Sequence, residues 1–166
     1  MKKIIVFLAG LLFTVTAFSQ ADSLLHPYQK HPSFPPVKLL LPDSTSYFTK
    51  ADLPKKTPTM FVFFNPECDH CKHETEALVQ NIDKFDNAFV VMATTFPFDS
   101  MLAFREKYKL AQYKNIVVAH DFQYFTPTFF MLHSLPFHAF YNRKKELISV
   151  FEGSMTIEKI LGELAK

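Results

Sequence analysis

"MFVFFNPECDHCKHE", residues 60–74, carries both cysteines of the chain, Cys68 and Cys71, two residues apart and just after an apolar run. Residues 60–64 are apolar without alternation, which predicts a strand covered on both faces, as in a parallel sheet. Asn65-Pro66 ends that strand. Beyond it, Cys71, Thr75, Leu78, Ile82 and Phe85 recur at helical spacing, with His73, Glu74, Glu76 and Lys84 elsewhere around the wheel. The cysteine pair therefore sits where a buried strand hands over to a helix. A redox couple, a metal clamp and a structural staple are three chemistries open to it.

Downstream, the apolar stretches 88–94 and 115–120 predict two more buried strands, separated by a helix over 99–110 capped by Asp99 or Ser100. Thr126-Pro127 reads as a cap with proline at the first helical position of a short helix through Met131. "FHAFY" (137–141) and "LISVF" (147–151) are joined by "NRKKE", a hairpin whose tip is expected to be solvated. "TIEKILGELAK" closes the chain as a helix with Ile157, Ile160, Leu161 and Leu164 on one face. Upstream, "KLLLPDSTSYFT" (38–49) reads as two short strands about a turn. Residues 20–37 hold Pro27, Pro32, Pro35 and Pro36, which predict an extended, poorly ordered lead-in rather than a helix. The alternation of strands and helices implies a mixed sheet with helices on both faces.

The first residues place the chain in a compartment. Lys2 and Lys3, an apolar run from Ile4 to Phe18 and small residues at Ala17 and Ser19 describe a secretory signal peptide over residues 1–19. Its apolar run is short for a membrane span. Of 18 basic residues, two lie in this leader, which leaves 16 against 16 acidic ones. Nothing in that balance points to nucleic acid. Export brings an oxidising environment, where a disulfide can persist. The remaining 147 of 166 residues suffice for one domain with its own core. Twenty Phe and no Trp make that core one of phenylalanine rings.

With this arrangement the chain resembles the thioredoxin superfamily, and within it the exported TlpA/ResA-like thiol-disulfide oxidoreductases. The strand "MFVFF", the link "NPE", "CDHC" opening a helix, and "SLPFHAFY" followed by a hairpin ending in "FEG" carry the likeness, which spans residues 38–166. It implies an α/β thioredoxin-like fold with an N-terminal strand pair and an inserted strand–helix segment, for which residues 111–130 are the candidate. It implies that Pro136, 65 residues after Cys71, is the cis-proline facing the cysteines. Pro127 is the rival, but a helix is expected after it. Leu135, before that proline, would pair through its backbone with a client peptide.

Helix geometry assigns the roles within the pair. A cysteine at the first turn of a helix meets the positive end of the dipole, which favours the thiolate. Cys68 has that place and is expected to be the nucleophile. Cys71, three residues on and on the same side, is expected to resolve the mixed disulfide. His70, when protonated, would stabilise a Cys68 thiolate, whereas Glu67 and Asp69 would oppose it. These opposing charges predict a potential between those of thioredoxin and DsbA, a range of ~150 mV. The family likeness implies donation of electrons, as a reductase. The dithiol is its own redox centre, with no cofactor. Its expected partners are client protein disulfides and an upstream electron donor, and the expected setting is a monomer in the periplasm, not inserted in the membrane once the leader is cleaved.

Glu67, Val62 and Leu135 depart from plain thioredoxin, and Asn65 departs from the peroxiredoxins. Glu67 stands where a tryptophan precedes the first cysteine. Val62 stands where a buried acid would assist the resolving thiol, so another base is needed, and Glu74, one turn beyond Cys71, is a candidate. Asn65 replaces the Thr or Ser that peroxiredoxins carry three residues before their nucleophile, which argues against a peroxidase.

The rival from another class is a metal-handling protein using Cys68, Cys71, His70 and His73. Structural zinc sites draw a second ligand pair from a distant segment, and a helix points these histidines away from the cysteines. A staple closing so short a ring would restrain the unfolded chain only modestly. His26, His31, His120, His133 and His138 read as surface or satisfied core residues.

Overall fold

A computed structural model describes residues 25–166; the expected leader, residues 1–19, lies outside them. Its centre is the strand that the cysteine stretch predicts. β3 (Thr59–Phe63) is buried at every position, which is why its sequence does not alternate. Met60 and Val62, with Phe64 just beyond, enter one layer of core, and Phe61 and Phe63 the other. Each such ring or aliphatic group withdrawn from water contributes about 1.5–3 kcal/mol.

β3 pairs in parallel with β4 (Phe89–Thr94), which pairs in parallel with β5 (Ile116–His120). On its other side β3 is antiparallel to β6 (Phe137–Tyr141), and β6 to β7 (Leu147–Glu152). β1 (Lys38–Leu40) and β2 (Tyr47–Thr49) form an antiparallel pair added beyond β5. The seven-stranded order is β2-β1-β5-β4-β3-β6-β7, the mixed sheet expected.

Helices cover both faces. α1 is the single turn Pro27–Lys30, α2 spans Asp69–Gln80, α3 Phe98–Lys107, α4 Phe125–Phe130 and α5 Ile157–Leu164. α2, α3 and α5 supply Cys71, Leu78, Met101, Phe104, Ile157, Ile160 and Leu164 to one core layer. Phe129 and Phe130 of α4 fill the opposite layer with Phe34, Val37, Leu39 and Phe48. The segment 111–130 forms β5 and α4, the strand and helix expected there. Among the described residues no helix is long and apolar enough to cross a membrane.

Four local expectations need correction. The lead-in contains a helical turn, because Pro27 occupies its first position and the Gln29 side chain accepts from the His26 N–H. The lead-in is also anchored: Phe34 N–H donates to the Lys145 carbonyl, Leu147 N–H donates to the Pro32 carbonyl, and Phe34 is buried against Phe61 and Tyr141. α3 begins at Phe98, one residue before the expected cap, and stops at Lys107, giving way to a separate turn at Leu110–Gln112. α4 is capped by Asp121 instead of Thr126: the buried Asp121 carboxylate accepts from the N–H groups of Phe125 and Thr126 at 3.1 and 2.7 Å. The tip of the β6–β7 hairpin is not fully solvated either. Lys145 folds inward and donates to the Thr57 carbonyl and the Thr59 hydroxyl at 2.5 and 2.7 Å, and desolvation lowers its pKa.

Candidate active site

The link from β3 to α2 is a turn organised by Asn65. Its side-chain oxygen accepts from Glu67 N–H at 2.8 Å, and its carbonyl accepts from Cys68 N–H at 3.1 Å. The turn delivers Cys68 to the N-cap position of α2 in extended backbone conformation, with its carbonyl accepting from Lys72 N–H. Cys68 is half-exposed there, and Cys71, one turn in, is 2% exposed. Both are thiols in this structure. Cys68 is thus the more accessible sulfur and Cys71 the more enclosed.

Burial pushes the Cys71 thiol up to about 12, against a smaller opposing effect from the Asn65 backbone; neighbouring Cys68 and Glu74 push it further the same way. A thiol so placed loses its proton at neutral pH only if a base takes it in the reaction. Val62, where plain thioredoxin has its acid, is apolar and buried. Glu74 is the carboxylate nearby. It is itself buried, as the sequence alone did not show.

Glu74 is held from two directions. One oxygen, Oε1, lies 2.5 Å from Nε2 of His138 on β6. The other, Oε2, accepts from Met155 N–H, in the link before α5, at 2.7 Å. His138 is fully buried, and its second ring nitrogen, Nδ1, has no hydrogen-bond partner among the described residues. Leaving such an atom unpaired costs on the order of 1–3 kcal/mol. A cavity of about 10 Å³, about the room of one water, is lined by Cys71, Glu74, Thr75, Val62 and Pro136.

The Leu135–Pro136 peptide bond is cis, the conformation implied for that position. Pro136 is buried and meets Cys71 across the small cavity, while Leu135 is half-buried between the two core layers. Pro127 lies inside α4, away from this arrangement. The three residues meant to tune the pair, Glu67, Asp69 and His70, are all exposed. Asp69 turns to Lys72 Nζ at 3.2 Å. Glu67 lines an open surface cleft of about 480 Å³ with Pro66, Lys72, Phe104, Lys107 and Tyr108.

Among the described residues no three His, Cys, Asp or Glu side chains gather into a group fit to hold a metal ion; His70 and His73 are exposed. The functional candidate that sequence reasoning passed over is His138. Its signal was there: it is the polar exception in a five-residue strand, "FHAFY", that is otherwise hydrophobic or aromatic throughout.

No protein-family model matches the sequence, and no curated protein matches it. Solved structures do. A secreted disulfide oxidoreductase of Mycobacterium tuberculosis, described as homologous to E. coli DsbE, superposes with a TM-score of 0.65 at 19% identity, covering 78% of this chain and 95% of that one. StoA of Bacillus subtilis gives 0.59 at 17% identity over 78% and 97%. A thiol-disulfide oxidoreductase of Bacteroides fragilis gives 0.65 at 13% identity over 80% and 97%. The likeness runs through most of each chain and is one of architecture: this chain has a thioredoxin-like α/β fold, the one those structures share.

Proposed function

We propose that the chain is an exported thiol-disulfide oxidoreductase that reduces client protein disulfides in the cell envelope, with Cys68 as nucleophile and Cys71 as resolving thiol. The observation that carries this reading is the inequality of the pair: Cys68 half-exposed at the start of α2, Cys71 buried behind it and facing cis-Pro136. The secreted disulfide oxidoreductase and the exposed lipoprotein thioredoxin of Streptococcus pneumoniae, similar in fold, support the exported setting.

In the reaction, the Cys68 thiolate attacks a client disulfide, forming a mixed disulfide and releasing one client thiolate. Cys71 then gives its proton to Glu74, and its sulfur bonds to Cys68 Sγ as the Cys68–client bond breaks. The second client sulfur leaves as a thiolate with the electron pair. The client gains two electrons and the pair becomes the Cys68–Cys71 disulfide, which an upstream dithiol donor must reduce again. Pro136 and the Leu135 backbone border the client segment, and Glu67, Asp69 and His70 set the charge around Cys68. The domain spans residues 38–166 behind the lead-in, acts as a monomer in the periplasm after the leader is removed, and uses no cofactor.

The test is a trap. Cys71→Ser is expected to accumulate mixed disulfides with client proteins through Cys68, and Cys68→Ser is not. Trapping by neither variant, or equally by both, would overturn the reading.

A further inference from the structure

The His138–Glu74 pair has more to it than tying α2 to the sheet. His138 faces the same core layer as Val62, its cross-strand partner on β3, at the level where plain thioredoxin would carry its acid. The acid has moved to the helix, and a histidine stands beside it on the neighbouring strand. Between them they leave one orphan, Nδ1 of His138, in the core.

We propose that His138 is a positioning residue for the resolving step: it holds Glu74 as a carboxylate beside Cys71, and so sets the pH at which Cys71 can pass its proton on. This rests on the oxidoreductase reading given above. Nε2 pairs with Oε1, as the donor when Glu74 is a carboxylate, and Met155 N–H donates to Oε2, so each oxygen of the buried side chain has a partner. The ionisable neighbours of the pair are few. Cys71 faces Glu74 from the start of α2, with Cys68 beside Cys71. β3 and β7 present Val62 and Phe151 opposite His138, and β6 adds Phe140. Among these side chains, His138 is the one hydrogen-bonded to Glu74. The cavity between Cys71 and Glu74 has space for a water to carry the proton across.

The sign follows. Without His138 the carboxylate loses its donor, its proton affinity rises, and it can accept from Cys71 only at higher pH. The step is read with the mixed disulfide of Cys68 and thionitrobenzoate, whose coloured thiolate is released as Cys71 attacks. The pH limb of that release is expected to move up by about one unit or more in His138→Phe, so the rate just below the limb falls about tenfold. His138→Gln, which keeps an N–H donor but no titratable ring, is expected to fall between Phe and the wild type. Thermal midpoints of both variants report packing separately. An unmoved limb in folded His138→Phe would overturn the proposal and leave the dithiol reading intact. Release of thionitrobenzoate from Cys71→Ser at the wild-type rate would sink the dithiol reading itself.

Discussion

The two ends of the first turn of α2 are built by opposite rules. Around Cys68 the charged neighbours are exposed and local: Glu67, Asp69 and His70 flank it, Asn65 ties the turn two and three residues away, and Asp69 reaches to Lys72. Around Cys71 the neighbours are buried, and Glu74 among them reaches partners distant in sequence: His138, 64 residues on, and Met155, 81 residues on. The outer end can change charge at little cost to the fold, because water screens it. The inner end cannot, since each group there depends on a partner from another element. Reactivity and stability are thereby separated by a single helical turn.

That contrast is open to measurement, most strongly through thiol reactivity. At pH 8 a thiol held at about 12 is ionised in roughly one molecule in 10⁴. Alkylation of the reduced protein with iodoacetamide at pH 8, followed by mass spectrometry, is expected to label Cys68 alone. Cys71 should react only as the pH approaches 12 or the chain unfolds. Equal labelling at pH 8 would erase the difference between the two ends.

A stability measurement probes the inner end. Glu74→Ala strips the partner from His138 Nε2 and from Met155 N–H, and is expected to cost about 3 kcal/mol in denaturant unfolding. Glu74→Gln keeps an acceptor and should cost clearly less. The outer end supplies the small effect that sharpens the contrast. Asp69→Asn removes an exposed pair with Lys72 and is expected to change stability by less than about 0.5 kcal/mol. Were Asp69→Asn to destabilise as much as Glu74→Ala, the separation would fail.

The same division explains what could be read in the sequence. The strand at 60–64, the turn, the helix after Cys68 and the proline before β6 are each announced by residues within a few places of one another, so periodicity and punctuation sufficed. The cap of α4 was misplaced by the same local logic. Thr126-Pro127 has the form of a cap, but Asp121, reaching forward from the end of β5, satisfies those N–H groups with a charged acceptor. Lys145 looked like any charge at a hairpin tip until the fold brought the Thr57 carbonyl beneath it. Glu74 and His138 were beyond local reach altogether. One lies on a helix whose other acids are exposed and the other in a hairpin strand, and only the antiparallel pairing of β6 with β3 brings them together.

The most direct test of the central claim, that Cys68 and Cys71 form one reversible redox couple, is equilibration of the wild-type protein in defined thiol–disulfide buffers at pH 7, with the reduced fraction counted by thiol-specific mass tagging. A single two-electron transition, gaining or losing both tags together at a midpoint between about −270 and about −120 mV, is the predicted result. Two thiols that oxidise independently, or a pair that never closes to a disulfide in those buffers, would contradict it.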